Sequence, residues 1–140
     1  MSLPLIEYRL ISLHPTCIGN ERIRLEMDGR IYSSKNSREC DEGQLWSATW
    51  QYQGRIDATA LAAISELIAS SGVIDLPETM VDSLAVDGKR EELEMCIAGT
   101  VYCRALHNVE QPAFHLVVRH LRGLLMDTIA SSASAHLPSQ

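Results

Sequence analysis

One stretch constrains the fold more than any other. Residues 56–77 carry the start and stop signals of an amphipathic helix over Ala58 to Ser71. Asp57 is the N-cap: its carboxylate can accept the backbone N–H groups that the first helical turn leaves without partners. Ile56 and Leu61 then occupy the two positions of a hydrophobic staple. Ala60, Leu61, Ile64, Leu67 and Ile68 recur on one side of a 3.6-residue period and form the buried stripe. Gly72 supplies the left-handed residue that ends the helix, Val73 can close back on Ile68, and Pro77 prevents a restart. The opposite face is unusual. Glu66 is its only charge, among Ala62, Ala63, Ala69 and Ser70. A freely solvated face carries more charge, so a second helix is expected to lie alongside and cover these small residues.

A helix with one apolar stripe needs a layer to receive it, and the rest of the chain reads mostly as sheet. Residues 5–13 alternate, with Ile6, Tyr8 and Leu10 facing one way. After Pro15 and Gly19-Asn20 the alternation resumes, Ile23, Leu25 and Met27 against Arg22, Arg24 and Glu26. Asp28-Gly29 marks a hairpin. A three-residue loop with a bulge at Gly29 sets Leu25 opposite Ile31, whereas a two-residue loop would set it opposite Tyr32. The bulged register matches aliphatic with aliphatic and charge with charge, and is favoured. Ser33 to Gly43 reads as an exposed polar connection. Leu45 to Tyr52 reads as a strand with Trp46, Ala48, Trp50 and Tyr52 on one face. Val73 to Arg90 is a long connection with at most one helical turn, and the charge from Asp75 to Glu94 is strongly acidic. Leu93 to Ala105 forms a second hairpin turning at Ala98-Gly99, for which a bulge at Gly99 sets Met95 opposite Val101 and Leu93 opposite Cys103.

Pro112 fits the first position of a last helix, with Gln111 a mediocre cap. Phe114, Val117, Val118, Leu121, Leu124, Leu125 and Thr128 form its stripe. Ser131 to Gln140, rich in Ser and Ala, reads as a disordered tail behind a single domain of residues 1–130. The element order is ββββαββα. The fold expected is a two-layer α+β domain, an antiparallel sheet with both helices on one face. The other face is wet and carries Arg22, Arg24, Glu26, Ser47, Thr49, Gln51, Glu92, Glu94 and Arg104.

Composition narrows the function classes. Among 140 residues, 18 acids against 12 bases give a net charge of −6, which argues against nucleic-acid or anionic-membrane binding. No run approaches the roughly 18 apolar residues of a membrane span, and the N-terminus lacks a signal-peptide core. Cys17, Cys40, Cys96 and Cys103 show no C-x-x-C pair, so reduced thiols in a cytoplasmic protein are expected.

Four features carry candidate chemistry. Trp46, Trp50 and Tyr52 read as core by their alternation with Ser47, Thr49 and Gln51, and alternatively as a platform for a ring or a peptide. His14 and Cys17 resemble half of a zinc site or a Cys–His pair, but too few further ligands accompany them for a structural metal. Leu116, His120 and Gly123 recur opposite the stripe of the last helix, where Gly in a helix interior costs about 1 kcal/mol relative to Ala and invites close approach of a partner. The acidic connection could meet a basic partner, but solvated acids are the ordinary account. The resulting expectation is a non-catalytic interaction or accessory domain, with a protein partner or self-association and no cofactor. The alternatives are a small-molecule binder with a pocket between sheet and helices lined by Trp46 or Trp50, and a thiol or metal enzyme using His14 and Cys17.

Overall fold

A computed structural model of the chain describes residues 3–12, 16–82 and 88–135. Seven strands form one mixed, mostly antiparallel sheet with two helices on one face: β1 Pro4–Ser12, β2 Glu21–Glu26, β3 Arg30–Lys35, β4 Gln51–Arg55, β5 Thr79–Val81, β6 Lys89–Ile97 and β7 Thr100–His107. The helices are α1 Ala58–Ser70 and α2 Pro112–Ala135. The spatial order is β4-β3-β2-β1-β6-β7-β5. All neighbours run antiparallel except β5 and β7, which are parallel. The expected two-layer α+β architecture is present, with one short edge strand added inside the acidic connection.

The sheet alternation fixes the core. Pairing places Ile6 beside Leu25 and Met95, and Tyr8 beside Ile23 and Leu93. These residues, with Ile31, Ile64, Ile68, Val73, Phe114, Val117 and Leu121, form the buried cluster between the layers. Each fully buried aliphatic or aromatic side chain there contributes roughly 1.5–3 kcal/mol.

Helix α1 starts as its sequence requires: Asp57 accepts the Ala60 N–H at 2.8 Å. Ser71 caps its end, and Gly72 then takes the left-handed conformation, φ 87°. The two helices touch, but Ala62, Ala63, Ala69 and Ser70 are exposed, so the expected cover over the small-residue face is absent. The reason is width. Seven strands at about 4.8 Å spacing seat two helices about 10 Å apart side by side, and each meets the other only along its margin.

Helix α2 is capped better than expected: the Gln111 Oε1 accepts from the N–H of Ala113 at 2.6 Å and of Phe114 at 3.1 Å. It also runs farther, to Ala135, five residues into the stretch expected to be a tail. Gly54 of β4 explains this. Its backbone, at φ 143°, lies so close to α2 that a Cβ there would sit 2.6 Å from the Thr128 Cγ2. The Ser132 hydroxyl then donates to the Gln53 carbonyl, fastening the last turns of the helix to the sheet. Residues 136–140 lie outside the described residues.

The first hairpin adopts the bulged register, with Leu25 opposite Ile31 and Gly29 at φ 92°. The second does not. Met95 faces Tyr102, Leu93 faces Arg104 and Cys96 faces Val101. Ala98 and Gly99 both take positive φ, the signature of a two-residue turn whose twist suits the flanking strands. Left-handed Ala98 costs on the order of 1 kcal/mol. In return this register buries Leu106 almost completely and brings Arg104 under the helices, where Nη2 donates to the carbonyl of Ile74. Arg104 therefore lies on the helix side, not the wet side. Cys103 is exposed and Cys96 buried, the reverse of the expected register.

Candidate functional site

The face of the sheet turned away from the helices carries the most organised chemistry. Antiparallel pairing aligns Arg24 with Glu7 and Glu7 with Glu94, and in the next row Arg22 with Arg9 and Arg9 with Glu92. Charged side chains from three strands thus interleave. Arg24 Nη1 donates to Glu7 Oε1 at 2.9 Å, and its Nη2 lies 3.4 Å from the Glu26 carboxylate. Arg9 donates to the other oxygen of Glu7 and, at 2.9 Å, to Glu92. Arg90 donates to Glu92 at 2.6 Å and reaches the His107 ring. Burial alone would push the Glu92 carboxyl up, but hydrogen bonds from Arg9 and Arg90 outweigh it and hold the group below its ordinary value. No second layer covers this face in the described chain, yet the Glu7, Arg24 and Glu26 side chains are only 10%, 11% and 7% exposed. The ladder tiles the sheet with its own side chains.

Arg22 stands apart from the ladder. Its guanidinium lies 4.6 Å from the centre of the Trp46 ring and 4.3 Å from that of Trp50. Nη2 donates to the Ala48 carbonyl at 3.1 Å, while Nε is buried without a partner. Burial lowers its pKa, offset in part by Glu7. The two indoles supply electron-rich surface where the other arginines have carboxylates.

Trp46 and Trp50 come together because the segment after β3 is pinned, although of the expected Leu45–Tyr52 strand only Gln51 and Tyr52 pair as strand, at the start of β4. Asn36, almost fully buried, donates through Nδ2 to the Leu45 and Cys17 carbonyls at 2.8 and 2.9 Å. Its Oδ1 accepts from the N–H of Ser47 at 2.9 Å and of Ala48 at 3.3 Å. Asn20 adds a bond from Nδ2 to Leu45 at 3.0 Å. A backbone satisfied by buried amides has no need of a strand partner. The polar connection expected to be exposed throughout is therefore anchored at its start.

None of the three aromatics is in the core. Trp46 and Trp50 are half-buried around Arg22, on the side of the sheet away from the helices, so they line no pocket between sheet and helices. Tyr52 is 56% exposed and meets Tyr32 edge-on, with centroids 5.5 Å apart. Leu116, His120 and Gly123 are all exposed on the outer side of α2, where open space surrounds Gly123 and Met126 adds a further exposed apolar side chain. His14 lies outside the described residues. Cys17 is buried beside Cys40. Among the described residues no cluster of three or more His, Cys, Asp or Glu is placed to hold a metal.

Sequence reasoning missed a second polar cluster, on the helix side. Glu91, 3% exposed, accepts from the Tyr8 hydroxyl at 2.8 Å and bonds the His115 Nε2 at 3.0 Å. Arg122 lies over the Tyr8 ring and donates to Glu21 at 2.6 Å. The neighbouring surface depression is lined by Gly88, Lys89, Asn108, Val109 and Glu110, and by no member of the Tyr8–Glu91–His115 cluster. The arrangement joins β1, β6 and α2. The stretch Ala58–Asp75 has the length and hydropathy of a membrane span, but a left-handed Gly72 breaks it and its Ile64, Ile68 and Val73 belong to the core. The chain matches no protein-family model and no curated protein.

Proposed function

We propose that this chain is a non-catalytic interaction domain that docks a protein partner on the uncovered face of its sheet, at the β2–β4 end. The observation that carries the reading is Arg22 held between Trp46 and Trp50 beside the Tyr32–Tyr52 pair. Arg, Trp and Tyr are the residues over-represented at the energetic centres of protein interfaces. Here buried amides fix the backbone on either side of Trp46 and Arg22 is held by the Ala48 carbonyl and the two indoles, which reduces the entropy lost on binding. The adjoining ion pairs are already desolvated by one another, which spares a partner part of the cost of burying them.

The test is affinity capture with the purified domain, comparing wild type with the double variant Trp46→Ala/Tyr52→Arg, each checked for native circular dichroism. Loss of two aromatic anchors should weaken a specific partner by at least about 30-fold, the equivalent of 2 kcal/mol. A folded double variant that retains every partner of the wild type would sink the proposal. A second reading, self-association through α2, rests on exposed Leu116 and Met126 flanking His120 and Gly123. Light scattering distinguishes it: a dimer abolished by Leu116→Arg and untouched by Tyr52→Arg would move the interface to the helix.

A further inference from the structure

Cys17 and Cys40 are distant in sequence and adjacent in space. Cys17 takes a left-handed conformation, φ 58°, that residues other than Gly rarely adopt. Its carbonyl is held on two sides, by the Asn20 N–H at 3.2 Å and the Asn36 Nδ2 at 2.9 Å. The same Asn36 nitrogen lies 3.3 Å from the Cys40 sulfur. The Cys40 N–H donates to the Thr16 carbonyl at 3.2 Å, which lays the Cys40 backbone alongside the residue that precedes Cys17. The Cys17 Sγ also contacts the Gln44 carbonyl at 3.6 Å. Neither cysteine is in a disulfide.

We propose that Cys17 and Cys40 form an oxidisable pair that closes to an intramolecular disulfide, tying the connection between β1 and β2 to the segment that presents Trp46 and Trp50. Asn36 acts as the template, touching the backbone of one cysteine and the sulfur of the other. Cys40 is the half-exposed member and meets the oxidant first. With oxidised glutathione as oxidant, the Cys40 thiolate attacks one glutathione sulfur and forms a mixed disulfide. The first glutathione thiolate leaves and takes up the proton that Cys40 gave to solvent. Cys17 then attacks the Cys40 sulfur and displaces the second glutathione, which takes the Cys17 proton. Two protein thiols and one glutathione disulfide become one protein disulfide and two glutathione thiols. Burial, then the neighbouring Cys17 thiol, pushes the Cys40 thiol above its ordinary value, so the reaction accelerates as the pH is raised through the alkaline range. Cys103, exposed and unpaired with another thiol, and Cys96, buried, serve as internal controls.

The experiment incubates the whole purified chain with oxidised glutathione, blocks remaining thiols, and maps linked peptides by mass spectrometry, a readout independent of any partner. A peptide carrying Cys17 joined to one carrying Cys40 is expected, with glutathione retained on Cys103, and the melting temperature should rise by roughly 5–10 °C and return on reduction. Cys17→Ser should leave glutathione trapped on Cys40. If that variant does not fold, the wild-type map alone decides. Separate glutathione adducts on Cys17 and Cys40, or both thiols still free after Cys103 has reacted, would overturn the proposal.

Discussion

Replacing Glu91 by Ala should destabilise the fold by about 2–4 kcal/mol. The carboxylate accepts from the Tyr8 hydroxyl at 2.8 Å and from the His115 ring at 3.0 Å. Tyr8 is 2% exposed, so water cannot replace the lost acceptor, and a buried donor without a partner costs roughly 1–3 kcal/mol. His115 is partly exposed and recovers some hydration. Lys89, 3.6 Å from the carboxylate and half exposed, adds little because solvent screens it. Against these losses stands the relief of no longer burying a carboxylate, which keeps the total below the sum of the separate terms. Urea unfolding followed by far-ultraviolet circular dichroism measures it directly. With a slope of about 1–3 kcal/mol per molar for a small domain, the midpoint should fall by about 1–2 M. The pairwise part comes from a cycle with Tyr8→Phe, for which a coupling of about 1–2 kcal/mol is expected. If Glu91→Ala lies within 0.5 kcal/mol of wild type, or the two changes add within about 0.3 kcal/mol, the cluster is not holding β1, β6 and α2 together.

Tyr8 also fixes an alkaline limit. Burial first, then the hydrogen bond and charge of Glu91, raise its folded pKa far above the ordinary 10.0, so its contribution is fully present below about pH 10 and is lost as the pH rises, at about 1.4 kcal/mol per unit. That component of the slope should be absent from alkaline denaturation of Tyr8→Phe. Gly54→Ala should cost about 2–4 kcal/mol, because it combines an unfavourable backbone region with a Cβ 2.6 Å from the Thr128 Cγ2. Adding Thr128→Ser should restore the steric part alone, and a thermal melt showing no restoration would contradict the close approach. Asn36→Ala removes every side-chain bond that Asn36 makes to the segment after β3 and should cost about 2–4 kcal/mol. Limited proteolysis should then cut between residues 37 and 49 much faster than in wild type, with a red shift of tryptophan emission.

How much of this was legible in the sequence follows from the range of each interaction. Helix α1 was readable because Asp57, the apolar stripe and Gly72 act within a few residues of one another. The first hairpin was readable because its alternative register pairs Leu25 with Tyr32 and mixes the faces. The second was not, because the bulged register gives the more apolar row, Met95 with Val101 and Leu93 with Cys103, and the choice fell instead to Leu106 entering the core and Arg104 reaching Ile74, contacts made outside the hairpin. The stretch from Leu45 to Tyr52 alternates like a strand, but buried Asn20 and Asn36 take the backbone groups of Leu45, Ser47 and Ala48, and a lone Asn in a Ser-rich connection gives no sign of that. Trp46, Trp50 and Tyr52 were recognisable as candidates. Their relation to Arg22 was not, since it depends on a loop crossing the sheet.

The charges on the open face looked in the sequence like ordinary solvated alternation. Cross-strand register makes them something else. Because Arg24 falls beside Glu7, and Arg9 beside Glu92, the carboxylates Glu7, Glu26 and Glu92 are all engaged by Arg9, Arg24 and Arg90. Arg22 falls beside Arg9 instead, where an acid would have had to come from elsewhere. It takes the indoles of Trp46 and Trp50 in place of an acid, and that substitution draws the loop down onto the sheet. The aromatic surface proposed to bind a partner is therefore a consequence of charge register. Arg22→Glu should lower the emission contrast between folded and unfolded Trp46 and Trp50, because Arg9 would then have a carboxylate neighbour and the indoles no cation to cover. If tryptophan emission and its quenching by iodide remain those of the wild type, the loop is held by Asn20 and Asn36 alone and the guanidinium is incidental.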